Sequence, residues 1–227
     1  MHEAPEPQEN ARKDDPLGRV KQGYTVGART LASRSVTGLA KTRVTPNALT
    51  TAGVTLCLAA AVLVPFENRD TLLVYWVAAA IFVVGSVLDI LDGALARAGG
   101  KSTPFGAFLD STTDRIGEGA MLAAIALVFA RDGKNWAVVL AVGAVVGSFL
   151  VSYTRARAEA LGLRGDVGLG SRAERVVVIT AGLVLAPWGV LPWAIALLAA
   201  TAWLTVVQRI LHVRKQLIHG GSDVDQR

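Results

Sequence analysis

Four aspartates, Asp89, Asp92, Asp110 and Asp114, stand in two pairs within the stretch DILDGALARAGGKSTPFGAFLDSTTD. Both pairs lie inside or beside apolar, membrane-like sequence, where an ionisable side chain is costly and so marks a functional site. On an α-helix turning about 100° per residue, Asp89, Asp92, Gly93 and Ala96 fall in one narrow stripe. The small residues on that face let a ligand approach the backbone closely. Gly106, Asp110 and Asp114 follow at i, i+4 and i+8, again on one face. Consecutive helices joined by a short loop pack antiparallel, so the two faces can meet as a cluster of four carboxylates. Four carboxylates cannot all carry charge at close range without cations. An oxygen-only set, lacking His and Cys, favours Mg2+ or Mn2+ over Zn2+. Two such ions are the natural complement, and two-metal sites serve phosphoryl-group transfer. The spacing also admits a proton or cation relay in a transporter. Arg97 and the Gly99, Gly100, Lys101, Ser102, Thr103 loop add donors for phosphate oxygens beside the acids.

The composition places these acids in a membrane protein. Of 227 residues, 52% are hydrophobic, and the mean hydropathy is +0.44, too apolar for an ordinary soluble domain. The formal net charge is +5, yet Lys and Arg gather at the ends of apolar segments rather than in one run. That distribution argues against nucleic acid and for anionic headgroups or an anionic substrate. Cys57 is the only cysteine, so there is no disulfide framework.

The expected fold is all-α and integral to the membrane: six transmembrane helices preceded by a basic amphipathic juxtamembrane helix. Residues 1–16 are polar and Pro-bearing, and are expected to form a disordered tail. Residues 17–43 carry Arg19, Lys21, Arg29, Arg34, Lys41 and Arg43, which suits a helix lying on the membrane surface or a flexible basic arm. The six-helix domain covers 44–217, and 218–227 form a second disordered tail. Thr45 as N-cap and Pro46 in the first turn start a span over 47–65. The second span begins near Leu72 and runs into the first aspartate pair. The third covers 106–130 and the fourth 136–160. The fifth begins near Arg172 and is broken by Pro187, Gly189 and Pro192. The sixth ends in QRILHVRKQLIHGG. With six spans, most basic residues share one side, and the other side has only Arg69, Arg131 and Lys134. The positive-inside rule then makes both termini and the aspartate loop cytoplasmic in the cell membrane.

The string Asp89-x2-Asp92-Gly93-x2-Ala96-Arg97-x8-Gly106-x3-Asp110-x3-Asp114 resembles, without a gap, the signature of the CDP-alcohol phosphotransferase family. The resemblance implies an integral membrane enzyme of six spans, usually a homodimer. Such an enzyme transfers a substituted phosphate from a CDP-linked donor to an alcohol and releases CMP. It implies that Asp89, Asp92 and Asp110 bind two divalent metals, Mg2+ with Mn2+ as the alternative. Asp114 is implied as a further ligand and as the base for the acceptor hydroxyl. Gly93, Ala96 and Gly106 fall to the donor site, with room for the cytidine, while Arg97 and Thr103 hold the donor. The Asn47, Ala48, Leu49, Thr50 stretch resembles the family's donor-binding turn, and reads equally as a simple helix start.

Residues 152–178, SYTRARAEALGLRGDVGLGSRAERVVV, and the Gln208-Arg209 pair resemble the actinobacterial phosphatidylinositol phosphate synthases. The implied donor is CDP-diacylglycerol and the implied acceptor inositol phosphate. Arg155, Arg175 and Arg209 fall at similar depth on the side of the acids. An arginine buried among helices needs an anionic partner, and three converging guanidiniums suit a phosphate dianion. Each alone would suit a lipid headgroup. The resemblance adds Ser152 to that pocket. Two departures stand out. Arg155 replaces the Lys common in relatives, and Ser171-Arg172-Ala173-Glu174-Arg175 lacks the first acid and the proline of the familiar E-R-P-E-R run. They leave glycerol phosphate, or another phosphorylated alcohol, open as acceptor. Arg157, Arg164 and Arg172 read as structural or lipid-facing charges. Arg115 and Glu118 flank the face of the acids without an assigned role.

Overall fold

The structure, a computed structural model, describes residues 45–221 except 69, 101, 166, 169 and 170. The expected juxtamembrane helix and N-terminal tail lie outside the described residues, as do residues 222–227. Among the described residues there are six α-helices and no strand: α1 (Pro46–Leu63), α2 (Thr71–Ala98), α3 (Pro104–Arg131), α4 (Asn135–Ala160), α5 (Arg172–Val184) and α6 (Leu191–Gly221).

Local chemistry starts these helices where the sequence says it should. Thr45 Oγ1 accepts from Ala48 N at 3.3 Å, and Pro46 occupies the first turn of α1, where its missing N–H costs nothing. Asp70 caps α2 through Leu73 N at 3.0 Å. Thr103 caps α3 through Gly106 N at 3.0 Å, with Pro104 next to it. Ser171 and Glu174 form a reciprocal capping box that starts α5 at Arg172, satisfying two backbone donors. α6 continues to Gly221, past residue 217 where the tail was expected. The segment after Arg209 is rich in helix formers and meets no Gly before 220, so nothing stops the helix earlier.

Four helical segments, Pro46–Phe66, Thr71–Ala98, Asn135–Ala160 and Leu191–Ile218, are long and apolar enough to cross a membrane. α3 has 28 residues, about 42 Å, but carries the acids and so fails on composition. α5 has only 13, about 20 Å against a hydrocarbon core of about 30 Å. It passes into a 3-10 turn, Ala186–Trp188, closed by Gly189 at φ +77°, a left-handed conformation that favours glycine. Val62, Leu73, Val84, Val139 and Leu197 are exposed on the outer surface. Trp136 and Trp193, at the starts of α4 and α6, lie with ring centroids 5.8 Å apart, as in an interfacial aromatic belt. This is a multi-pass membrane protein.

The expected direct meeting of the two aspartate helices is not how the bundle is built. α2 and α3 share little surface, and α1 packs on both. Glycine makes the wedge possible. A Cβ on Gly53 would lie 2.8 Å from the Gly85 carbonyl oxygen, and one on Gly85 would lie 2.7 Å from that of Gly53. On α3, a Cβ on Gly117 would lie 3.0 Å from Cys57 Cβ. α1 therefore touches α2 backbone to backbone and carries Thr50 into the space between the acids. Below this level Phe82, Met121, Ile125, Phe129, Ile179 and Leu198 form the apolar core. Gly85→Ala is expected to push α1 from α2 and cost about 1–3 kcal/mol. The reading would be a lower thermal-unfolding midpoint in detergent, with Val84→Ala on the exposed face within about 0.5 kcal/mol of wild type. An unchanged midpoint for Gly85→Ala would remove the close approach from the account.

Candidate active site

α2 turns Asp89 and Asp92 inward, leaving them 7% and 2% exposed. α3 brings Asp110 opposite, and one carboxylate oxygen from each of the three lies within 4.8 Å of the others. The Thr50 hydroxyl of α1 donates to Asp92 Oδ2. Asp92 Oδ1 is buried and has no hydrogen-bond partner among the described residues. A buried carboxylate oxygen beside two other carboxylates is unfavourable unless a cation completes its shell. An all-oxygen donor set of this kind fits a hard divalent ion.

Asp114 stands apart from this trio. Its Oδ1 lies 2.7 Å from Arg172 Nη2, while Arg172 Nη1 donates to Asp89 Oδ2. The expected cluster of four therefore divides into three gathered acids and a fourth linked to them through a guanidinium. By sequence, Arg172 is expected to be a structural or lipid-facing charge; it instead sits between two of the acids. The capping box fixes the start of α5 and so aims its first residue inward. The available signal was spacing: Arg172 and Arg175 are i and i+3, on one face.

Two of the cavities that adjoin the acids are large enough to matter for substrates. One, of about 140 Å³, is lined by Asn47, Thr50, Asp92, Gly93, Ala96, Arg97, Thr103, Gly106 and Asp110. It gathers the sequence-predicted donor residues except two. Leu49 is buried in a small apolar cluster with Leu95, and Ala48 is exposed with its backbone N–H engaged by the Thr45 cap. In the first turn of a helix only one face looks inward, so a contiguous run cannot all line a site. Cβ atoms on Gly93 and Gly106 would lie 3.3 Å from Arg97 Nη1 and 3.1 Å from Thr103 Oγ1, so these glycines leave the polar groups their places. Lys101 lies outside the described residues.

The second cavity, of about 590 Å³, has Asp110 and Asp114 on one side and Ser152, Arg155, Arg175 and Arg209 among its other walls. All four predicted acceptor residues reach it. Their environments differ. Arg155 is exposed and pairs with Glu159 at 2.8 Å. Arg175 is buried and donates from Nε and Nη2 to the two oxygens of Glu118, at 2.7 and 2.8 Å. Arg209 is also buried; Nε donates to the Val167 carbonyl at 2.9 Å and Nη1 to that of Val151. Gly168, at φ +115°, lies so close to α6 that a Cβ there would lie 2.3 Å from Thr205 Cγ2. The neighbouring Val167 carbonyl accepts from Arg209. Arg115 and Glu118, unassigned by sequence, line this cavity too. Asp110 belongs to both cavities, so the acids stand where the two meet.

A sequence profile of the CDP-alcohol phosphatidyltransferase family matches residues 43–211. The chain is 36% identical to an archaetidylinositol phosphate synthase of Pyrococcus horikoshii, over 89% of this chain and 96% of that relative. It is 40% identical to a phosphatidylinositol phosphate synthase of Corynebacterium glutamicum, over 77% of this chain and 80% of the relative. Its structure is similar to that of Mycobacterium tuberculosis phosphatidylinositol phosphate synthase with CDP-DAG bound. The TM-score is 0.72 at 32% identity, covering 81% of this chain and 94% of that one. The same enzyme in complex with manganese and citrate gives a TM-score of 0.70 at 34% identity, covering 80% and 88%. These are enzymes, and the cation-relay alternative for the acids falls away. With a match that reaches all six helices and a signature complete at every acid, this chain belongs to the CDP-alcohol phosphatidyltransferase family.

Proposed function

We propose that the chain transfers the phosphatidyl group of CDP-diacylglycerol to 1D-myo-inositol 3-phosphate, releasing CMP, in phospholipid biosynthesis. The observation that carries this is the shared wall: Asp110 lines both cavities, and Asp114 faces the arginine-lined one. A donor and an acceptor bound side by side would meet at the acids. Ser152, Arg155, Arg175 and Arg209 around one cavity support an acceptor that already carries a phosphate. The names of the relatives support inositol phosphate as that acceptor.

Asp89, Asp92 and Asp110 are the residues to hold the divalent ions, two Mg2+ with Mn2+ as alternative. Bound there, the ions supply charge neutralisation at the diphosphate and at the leaving CMP. Gly93 and Ala96 leave space for the cytidine, and Arg97 and Thr103 hold the donor's phosphates. The arginine cavity holds the acceptor phosphate. Asp114 takes the proton of the acceptor hydroxyl as its oxygen attacks the lipid-bearing phosphorus. The bond from that phosphorus to the CMP oxygen breaks, and the electron pair leaves with CMP. Asp114 is 20% exposed at its side chain, so a hydroxyl in the cavity can reach it. Six spans, cytoplasmic termini, a cytoplasmic active site and a homodimer complete the proposal, supported by the placement of basic residues and the family resemblance.

Purified protein given CDP-diacylglycerol and Mg2+ is expected to release CMP with radiolabelled inositol phosphate. It is not expected to do so with free inositol. Turnover on glycerol phosphate instead would reassign the acceptor, and no CMP with any phosphorylated alcohol would refute the function. Chelation with EDTA should stop CMP release, and added Mg2+ or Mn2+ should restore it; activity that survives chelation would exclude a divalent ion from the acid site. Asp114→Asn should lower kcat by about 100-fold or more, with CDP-diacylglycerol binding retained in a direct titration. Near-normal turnover in that variant would remove Asp114 as the base.

A further inference from the structure

Glu118 lies one helical turn beyond Asp114 on α3 and is 7% exposed. Its two oxygens accept from Nε and Nη2 of Arg175 on α5, itself 6% exposed. One turn back, Asp114 pairs with Arg172. Two acids at i and i+4 on α3 thus meet two arginines at i and i+3 on α5, as two rungs of a ladder. α5 packs on α2 and α6 and shares little other surface with α3, so these rungs are the direct links between α3 and α5. A two-bond fork fixes the plane of a guanidinium as well as its position, which a single charge contact does not. Stability alone does not call for such a pair, since burying two charges costs desolvation that an apolar pair would avoid. Both Glu118 and Arg175 line the arginine-rich cavity, which points to orientation of a substrate-facing group.

We propose that Glu118 is a positioning residue for acceptor selection. It holds Arg175 at a set distance from Asp114, so that α3 spaces the activated hydroxyl from the phosphate on the same acceptor. The proposal rests on the transfer reaction proposed above, with Asp114 as base and a phosphorylated acceptor. Side chains one turn apart on a helix are about 5–6 Å apart at Cβ, which matches the scale of a small phosphorylated polyol. The carboxylate of Glu118 also offsets the charge of Arg175. The cavity then selects by geometry more than by net attraction, and free phosphate gains little from it.

The test compares the full-length wild type with Glu118→Gln and Glu118→Asp, with Arg175→Ala as reference, in steady-state CMP release. Inositol phosphate and CDP-diacylglycerol are titrated separately. Glu118→Gln is expected to raise the KM for inositol phosphate about 10-fold or more, the loss of a charge-assisted bond. The KM for CDP-diacylglycerol should stay within about twofold of wild type. Glu118→Asp, which keeps the charge, should recover part of the loss. An acceptor KM unchanged in Glu118→Gln, or both KM values rising together, would overturn the positioning role and leave the pair purely structural. Removing one partner of a buried pair can prevent folding; in that event the same split, or its absence, in Glu118→Asp decides. A wild type that turns over no phosphorylated alcohol defeats the acceptor assignment itself, and the positioning role with it, before any variant is compared.

Discussion

Arg172 lies between Asp89 and Asp114, so one guanidinium from α5 compensates carboxylates on α2 and α3. The rest of the site depends on compensation of this kind. Carboxylates packed among apolar helices have no bulk water to screen them, and each needs a fixed positive or hydrogen-bonding partner. Glu118 has Arg175, and Asp92 has the Thr50 hydroxyl. Asp92 Oδ1 is left without a hydrogen-bond partner among the described residues, and a divalent ion fits where oxygens of Asp89, Asp92 and Asp110 converge within 4.8 Å.

The same constraint explains why α1 is placed as it is. A second aspartate helix laid directly on the first would leave no room for a hydrogen-bonding group beside the acids at that end of the bundle. α1 separates them, and its glycine contacts with α2 keep the separation small. Thr50 then reaches Asp92 while Asn47 and Thr50 help line the smaller cavity. Close helix packing and one wall of the smaller cavity are thus two consequences of one wedge.

The short fifth helix has a comparable double role. It adds little apolar length, yet its capping box delivers Arg172 to the acids and Arg175 to the larger cavity. The family signature contains none of its residues. What it contributes is the connection between the clustered acids and the cavity where the acceptor is proposed to bind.

The sequence by itself determined the helix starts, because caps and prolines act within one turn, and it put the acids on shared helix faces, because helical spacing aligns Asp89 with Asp92 and Asp110 with Asp114. It also named Arg155, Arg175 and Arg209, which do reach one cavity. Only the tertiary structure decided who pairs with whom. That Asp114 stands apart from the other three acids beside Arg172, that Glu118 holds Arg175, that α1 stands between α2 and α3, and that Leu49 packs on Leu95 while Asn47 faces the cavity all depend on the rotation and separation of helices. Those quantities come from close packing at Gly53, Gly85 and Gly117 and from the packing of α5 on α2 and α6. No local periodicity encodes them.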